Sequence, residues 1–297
     1  MTEAFERGVV VMSIDTEMLW GYHDELNETS FEARYPNSPE THTKLLKRLT
    51  DAGVSATWFV VGALALPENT RLLHCRPFLE RLRDATPAQE IGLHGGLTHL
   101  LWKDVRTSRQ SARLELRAGI DALAELCGPP VSFSFARNLE AFHELLPQHG
   151  IRCYRTLPPT VSWRLGRTLP GAMLRGLDEV RCARPPVVWP SQVIPQLWSI
   201  PASMFLYPIG AARARVIGLR SRVARFSRGI KAAARRRGVF HFCFHPENLA
   251  ESPQGFHLLD DMLEKLIGAE RRGDIEILTM REVLARVERQ PFYVWKK

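Results

Sequence analysis

Short β-branched and apolar runs alternate with helical patterns along almost the whole chain, and that alternation restricts its fold more than any other feature. The clearest run is Val9-Val10-Val11-Met12-Ser13-Ile14-Asp15-Thr16-Glu17. Nothing polar interrupts it from Val9 to Met12, as in a strand covered on both faces, and it ends in two carboxylates. Further strand candidates lie at 54–61, 90–93, 131–135, 151–154, 197–201, 238–244 and 274–278. Helical stretches at 40–52, 78–83, 108–126, 139–146, 213–237, 258–270 and 280–288 separate them. Seven or eight strand–helix units, with no block of strands or helices alone, imply a parallel sheet, open or closed as a barrel. A strand that carries acids only at its C-terminal end matches the place where α/β barrels put their chemistry. An acidic surface loop is the competing reading of Asp15 and Glu17 taken alone.

One stretch breaks the pattern. Residues 157–195 are rich in proline and arginine and poor in periodicity, so they are expected to form a long irregular insertion serving as a lid, binding loop or interface. They are too lean in apolar residues for a second domain, and residues 1–297 are read as one domain. Five dispersed cysteines with no close pair argue against a disulfide framework or a thiolate zinc site. No apolar window is long enough to span a membrane. The acidic N-terminus lacks the positive region and cleavage site of a signal peptide, so a cytoplasmic location is expected.

The net charge of +8 is concentrated. Residues 213–237 hold nine Arg and one Lys without an acid, and the remainder of the chain is slightly acidic. A pI near 9.5 is therefore no argument for nucleic acid. Val216, Leu219, Val223, Phe226 and Ile230 fall three and four apart, so one stripe of this basic helix faces a core. Its arginines form either an ordinary solvated face or a patch for peripheral contact with an anionic membrane.

Polar residues capable of chemistry recur at successive strand ends. His94 and His99, with Gly95 and Gly96 between them, follow the run Glu90-Ile91-Gly92-Leu93, and two imidazoles on one curled loop suit a divalent transition metal. Arg137-Asn138 follows the strand candidate at 131–135, and His245-Pro246 follows that at 238–244. Each alone reads as a strand surfacing, or as a histidine satisfying a backbone carbonyl. Together, two acids, two imidazoles, an arginine and a third imidazole at one end of a barrel are the parts of a metal-assisted hydrolase.

In this order the motifs resemble those of the polysaccharide deacetylase family, metal-dependent enzymes that remove N-acetyl or related acyl groups from amino sugars. Family members carry Thr-Phe-Asp-Asp-Gly first, which Ser13-Ile14-Asp15-Thr16-Glu17 resembles as an Asp-x-Glu variant. The family's His-Ser/Thr-x-x-His is matched by His94 to His99 with one extra residue, its Arg-x-Pro segment by Phe135-Ala136-Arg137-Asn138, and its late histidine by Phe244-His245-Pro246. The likeness runs from Val9 to the last strand. It implies an α/β fold of the irregular (β/α)7, TIM-barrel-like type, interrupted by the insertion at 157–195, and one divalent ion, expected to be Zn2+.

Residue by residue, the resemblance makes Glu17, His94 and His99 metal ligands, Asp15 the general base, Arg137 the partner that holds Asp15 ionised, and His245 the acid for the departing amine. Exchange of roles between Asp15 and Glu17 stays open, as does whether His99 reaches the metal across the longer loop. Trp20 and Asn138 are candidate substrate contacts, with a core position the competing reading of Trp20. The expected substrate is a carbohydrate or lipid-linked sugar precursor, such as one destined for surface polysaccharide. The alternatives are hydrolysis of another non-peptide C–N bond on the same fold, and a catalytically silent barrel that binds carbohydrate or a partner.

Overall fold

The structure, a computed structural model, describes residues 5–67, 73–166, 168–208, 217–250 and 254–289. Its strands are β1 (Gly8–Thr16), β2 (Thr57–Val60), β3 (Glu90–His94), β4 (Ser132–Ser134), β5 (Cys153–Thr156), β6 (Ser191–Ile194), β7 (Leu197–Pro201), β8 (Met204–Phe205), β9 (Val239–Phe244) and β10 (Ile275–Ile277). All ten belong to one sheet, and every pairing is parallel except the β6–β7 hairpin. The order β5-β4-β3-β2-β1-β9 puts β1 near the middle, which is why its nine residues are all buried. One edge of β1 pairs with β9 over six residues, and the other is shared by β10 below and β2 above.

A single stretch of chain joins the two ends of this sheet. Its first half, β7, pairs with β5, and its second half, β8, pairs with β9. Ser203 N donates to His241 O across the seam at 2.7 Å. The sheet therefore curls into a deformed, incompletely regular barrel rather than a uniform eightfold one. Helices Ser38–Asp51, Arg76–Arg83, Arg109–Cys127, Leu219–Arg236 and Gly255–Arg271 cover its outside. Their buried faces recur at helical spacing, as in Phe78, Leu79 and Leu82 or Leu259, Met262, Leu263 and Leu266.

The strand period of two decides what faces the lumen. On β1, Val10, Met12 and Ile14 join the outer core beneath the helices, whereas Val9 and Val11 join a separate inner cluster with Phe59, Cys153, Ile200 and Val239. Ser13 and Asp15 continue that inner row upward. The same parity directs His94 of β3, Ser134 of β4, Arg155 of β5 and His241 of β9 inward. The lumen thus carries an apolar layer beneath a polar one at the C-terminal strand ends, with the buried Thr57–Glu90 hydrogen bond at its base.

Several segments differ from the reading of the sequence. The loop at 21–39 contains helix Glu28–Arg34, started by a reciprocal cap between Asn27 and Ser30 and pinned by Phe31 and Tyr35 against Leu19. The helix expected at 139–146 shrinks to the single turn Leu145–Gln148, because Phe142 has φ 51° and interrupts it. The insertion at 157–195 is not structureless: it holds helices Val161–Arg164 and Leu169–Val180 and strand β6.

Residues 213–216 of the expected basic helix lie outside the described residues, and the helix itself runs Leu219–Arg236. Phe226 sits 5.4 and 5.0 Å from the Phe240 and Phe242 rings, which anchors the helix in the core. Arg222 donates to the carbonyls of Tyr207 and Pro208, Arg225 to Ala183 and Arg228 to Cys182, and Arg236 lies over the Trp189 ring. Much of the helix's charge thus holds backbone in place. Among the described residues, no helix is long and apolar enough to cross a membrane.

Candidate metal and catalytic site

Glu17 leaves the end of β1 and starts the short 3-10 turn Met18–Gly21, which turns its carboxylate over the lumen. Three imidazoles converge on its Oε1 atom: His94 Nε2 at 2.5 Å, His99 Nε2 at 3.2 Å and His245 Nε2 at 3.4 Å. Glu17, His94 and His99 are all buried, and their ligand atoms lie within 4.8 Å of one another. His94 closes β3, and His245 follows β9 directly.

His99 reaches the cluster despite the longer His–His spacing. Gly95 and Gly96 take φ of 71° and 126°, conformations that side chains resist, and so coil the extra residue into a tight turn. A Cβ on Gly119, in helix Arg109–Cys127, would come within 2.6 Å of the Gly96 carbonyl carbon, so this glycine lets the helix press against the turn. His99 itself has φ 58°, a strained value for its residue type that aims the ring inward.

The donor set fits a cation. His94 Nδ1 lies 2.9 Å from Ser134 O, so the hydrogen bond places a proton on Nδ1 and leaves Nε2 to face the Glu17 carboxylate. That nitrogen faces a carboxylate oxygen, a contact that a proton on the ring or a metal cation beside the pair would satisfy. His99 Nε2 is buried and, among the described residues, makes no well-aligned hydrogen bond, though Glu17 Oε1 lies 3.2 Å away. Burial lowers the pKa of His99 despite Glu17 beside it, which favours the neutral, ligating imidazole. Burial opposes the charge on Glu17, but its imidazole neighbours, His245 foremost, hold its carboxyl well below the usual range. One carboxylate and two imidazoles suit zinc and other divalent transition ions.

Asp15 sits one turn of the pleat below, and its partner is not the expected one. Arg155 Nη1 and Nη2 donate to the two Asp15 oxygens at 2.7 Å each, in a buried bidentate pair. The guanidinium also donates to Ser13 Oγ at 3.1 Å and Ser134 Oγ at 2.9 Å. Burial works against the charge on Asp15, but Arg155, then His94 and His245, keep its pKa below the ordinary value. Beneath them His241 Nε2 lies 2.8 Å from Ser13 Oγ; burial, reinforced by Arg155, pushes its pKa down to about 3. A chain Asp15–Arg155–Ser13–His241 thus fixes the first acid from below.

Arg137 does not contact Asp15. It follows β4 at φ 51° and donates to Asp24 at 2.5 Å and to Glu25 at 3.5 Å, on the rim of the site. Trp20 is also turned away: its Nε1 donates to Leu73 O at 3.0 Å and its ring packs on the core. The wall expected of Trp20 is supplied by Tyr22 and Phe205, which line a cavity of about 290 Å³ with Asp15, Glu17, His94, His99, Arg137, Asn138, Arg155 and His245. Seven of the eight candidates read from the sequence therefore line one cavity. Burial, with Glu247 next in effect, raises the Tyr22 phenol, so that wall is uncharged. The half-buried His245 lies 3.7 Å from Asp15 Oδ2; burial opposes its charge, but Glu17 foremost and then Asp15 raise its pKa to about 9.

Compared by sequence, the chain matches no protein-family profile and no curated protein. Its structure, by contrast, superposes on known ones along nearly its whole length. A protein assigned as a polysaccharide deacetylase from Mycobacterium smegmatis shares 19% identity over 95% of this chain and 90% of its own, with a TM-score of 0.66. Another, from Pseudomonas aeruginosa PAO1, shares 11% identity over 95% and 91%, also at 0.66. The chain has the polysaccharide deacetylase fold. The same barrel is found in PuuE allantoinase, at 11% identity, coverage of 99% and 94%, and a TM-score of 0.60. Such low identities speak for the fold alone. The polysaccharide deacetylase fold expected from four short motifs is present, and its C-terminal strand ends carry the buried acid–histidine cluster.

Proposed function

We propose that the protein is a metal-dependent hydrolase that removes an N-acetyl or similar N-acyl group from a carbohydrate or lipid-linked sugar precursor. The observation that carries this reading is the convergence of His94, His99 and His245 on the one oxygen of Glu17, beside an Asp15 held by Arg155. Glu17, His94 and His99 would hold a divalent ion such as zinc. Bound there, a divalent cation supplies Lewis acidity toward an acyl oxygen and lowers the pKa of a neighbouring water.

The remaining work falls to the chain itself. Asp15 accepts the proton of the attacking water; its pairing with Arg155 occupies one side of the carboxylate and leaves further lone pairs free. That pairing also separates the two acids into a tethered base and a ligand. His245 faces the same space from the opposite strand and delivers a proton to the departing amine, a poor leaving group until it gains one. Tyr22 and Phe205 form apolar walls for a ring, and Arg137 and Asn138 offer polar contacts at the rim.

The test is a screen for acetate or formate release from N-acylated monosaccharides, nucleotide sugars and lipid-linked sugars. Release that disappears in the Asp15→Asn variant is expected; a protein that carries its metal yet hydrolyses none of these overturns the reading. The likeness to an allantoinase favours one second reading, hydrolysis of a cyclic amide, which adding allantoin and related ureides to the screen would reveal.

A further inference from the structure

Helix Leu169–Val180, in the insertion, is amphipathic the wrong way round. Leu169, Met173, Leu177 and Val180 fall on one face at spacings of four, four and three, and they are 74%, 67%, 41% and 50% exposed. The opposite face is polar and turned inward, where Arg175 donates to the carbonyls of Ser162 and Gly166, and Asp178 accepts from Ser162 Oγ. Val161 and Leu165, in and just after the preceding helical turn, are exposed as well. Of the ten large apolar side chains exposed among the described residues, seven lie between 161 and 180. A concentrated apolar surface of this kind marks a docking face.

Charge selects what docks there. Arg164, Arg181 and Arg184 are exposed around the apolar face, and no described acid between residues 157 and 190 is exposed. Arg225 and Arg228 of the basic helix Leu219–Arg236 fasten to the carbonyls of Ala183 and Cys182, so that helix runs alongside. A second copy packed face to face would oppose arginine to arginine. An apolar stripe in an arginine frame complements the headgroup region of an anionic bilayer instead.

The stripe also lies next to the candidate site. Val161, Trp163, Leu174 and Arg175 line a cavity of about 220 Å³ whose wall includes Phe205, and Phe205 also lines the acid–histidine cavity. We infer that the outward face of Leu169–Val180 seats the protein on an anionic membrane surface, and that its substrate is a lipid-linked sugar presented from that surface. The substrate half of this inference rests on the proposed deacylase function; the docking half stands on the surface alone.

Flotation with phosphatidylcholine vesicles containing about a third phosphatidylglycerol tests it. The full chain is expected to float with these vesicles and more weakly with pure phosphatidylcholine. The double variant Met173→Gln/Leu177→Gln should lose about tenfold or more in vesicle affinity, since interfacial binding scales with buried apolar area. Its melting temperature should not change, because both side chains are exposed. Failure of the unaltered protein to float, or equal flotation of the double variant, overturns the inference. So does a dimer in sedimentation velocity that this variant dissolves, which assigns the face to self-association. Flotation requires no turnover, so retained vesicle binding without acyl release would remove the deacylase reading and leave the docking face standing.

Discussion

Replacing Arg155 with methionine strips a buried carboxylate of the guanidinium that pairs with it. Asp15 is 2% exposed and takes both of its 2.7 Å bonds from that residue, while the burial that opposes its charge remains. Removing one partner of such a pair costs about 3–5 kcal/mol. In a large domain each kcal/mol moves the melting temperature by about 2–4 °C, so Arg155→Met should melt roughly 6–20 °C lower. Arg137→Met is the informative control: its partners Asp24 and Glu25 are substantially exposed, and breaking such a pair costs about 0–1 kcal/mol. In Arg155→Met/Asp15→Asn no bare charge is left behind, so much of the loss should be recovered. Thermal and urea melts followed by circular dichroism read all three variants. Equal destabilisation by Arg137→Met and Arg155→Met, or an Arg155→Met protein as stable as the parent, would refute the pairing of Asp15 with Arg155.

Two further outcomes follow from the barrel. His241 is depressed to about 3, so on acidification the unfolded chain binds a proton near pH 6.5 that the folded chain refuses. Its contribution is therefore fully present above about pH 6.5 and is lost below it at up to about 1.4 kcal/mol per pH unit. Urea melts between pH 7 and 4 should show a shallower loss for His241→Gln, and identical slopes would remove His241 from the acid response. Phe226→Ala should destabilise by about 3–5 kcal/mol, because it empties a site between Phe240 and Phe242; a loss under about 1 kcal/mol would mean the basic helix is not anchored in the core.

The fold was legible because the strands announce themselves: β1, β2 and β9 are predominantly apolar and β-branched or aromatic, and the first and last of these deliver acids and a histidine at their ends. The same feature hides Arg155. An apolar-run criterion stops β5 at Tyr154, yet the strand continues to Thr156. Parity held the missing signal, since Arg155 shares the inward face of Cys153 just as Asp15 shares that of Val11 and Ser13. Arg137 follows a strand and matches a family motif, but the chain turns there at φ 51° and carries the side chain to the rim.

The insertion defeated periodicity from the opposite side. Its helix Leu169–Val180 buries polar groups and exposes apolar ones, so the usual inference from stripe to core fails. Helix Glu28–Arg34 was hidden by its polar composition, although Asn27 and Ser30 at capping distance, with Phe31 and Tyr35 four apart, marked it. The spacing from His94 to His99 could not say whether both rings meet, because only the backbone angles of Gly95 and Gly96 decide that.

The metal content of the purified protein tests the central claim most directly. Glu17, His94 and His99 as ligands require one divalent ion per chain, retained in Asp15→Asn and lost in His94→Ala, with a melting temperature that falls on chelation and recovers when zinc is added back. A metal-free protein whose melting temperature is indifferent to chelator and to added zinc would contradict the account, and an ion that leaves in Asp15→Asn but stays in His94→Ala would reverse the division between base and ligand.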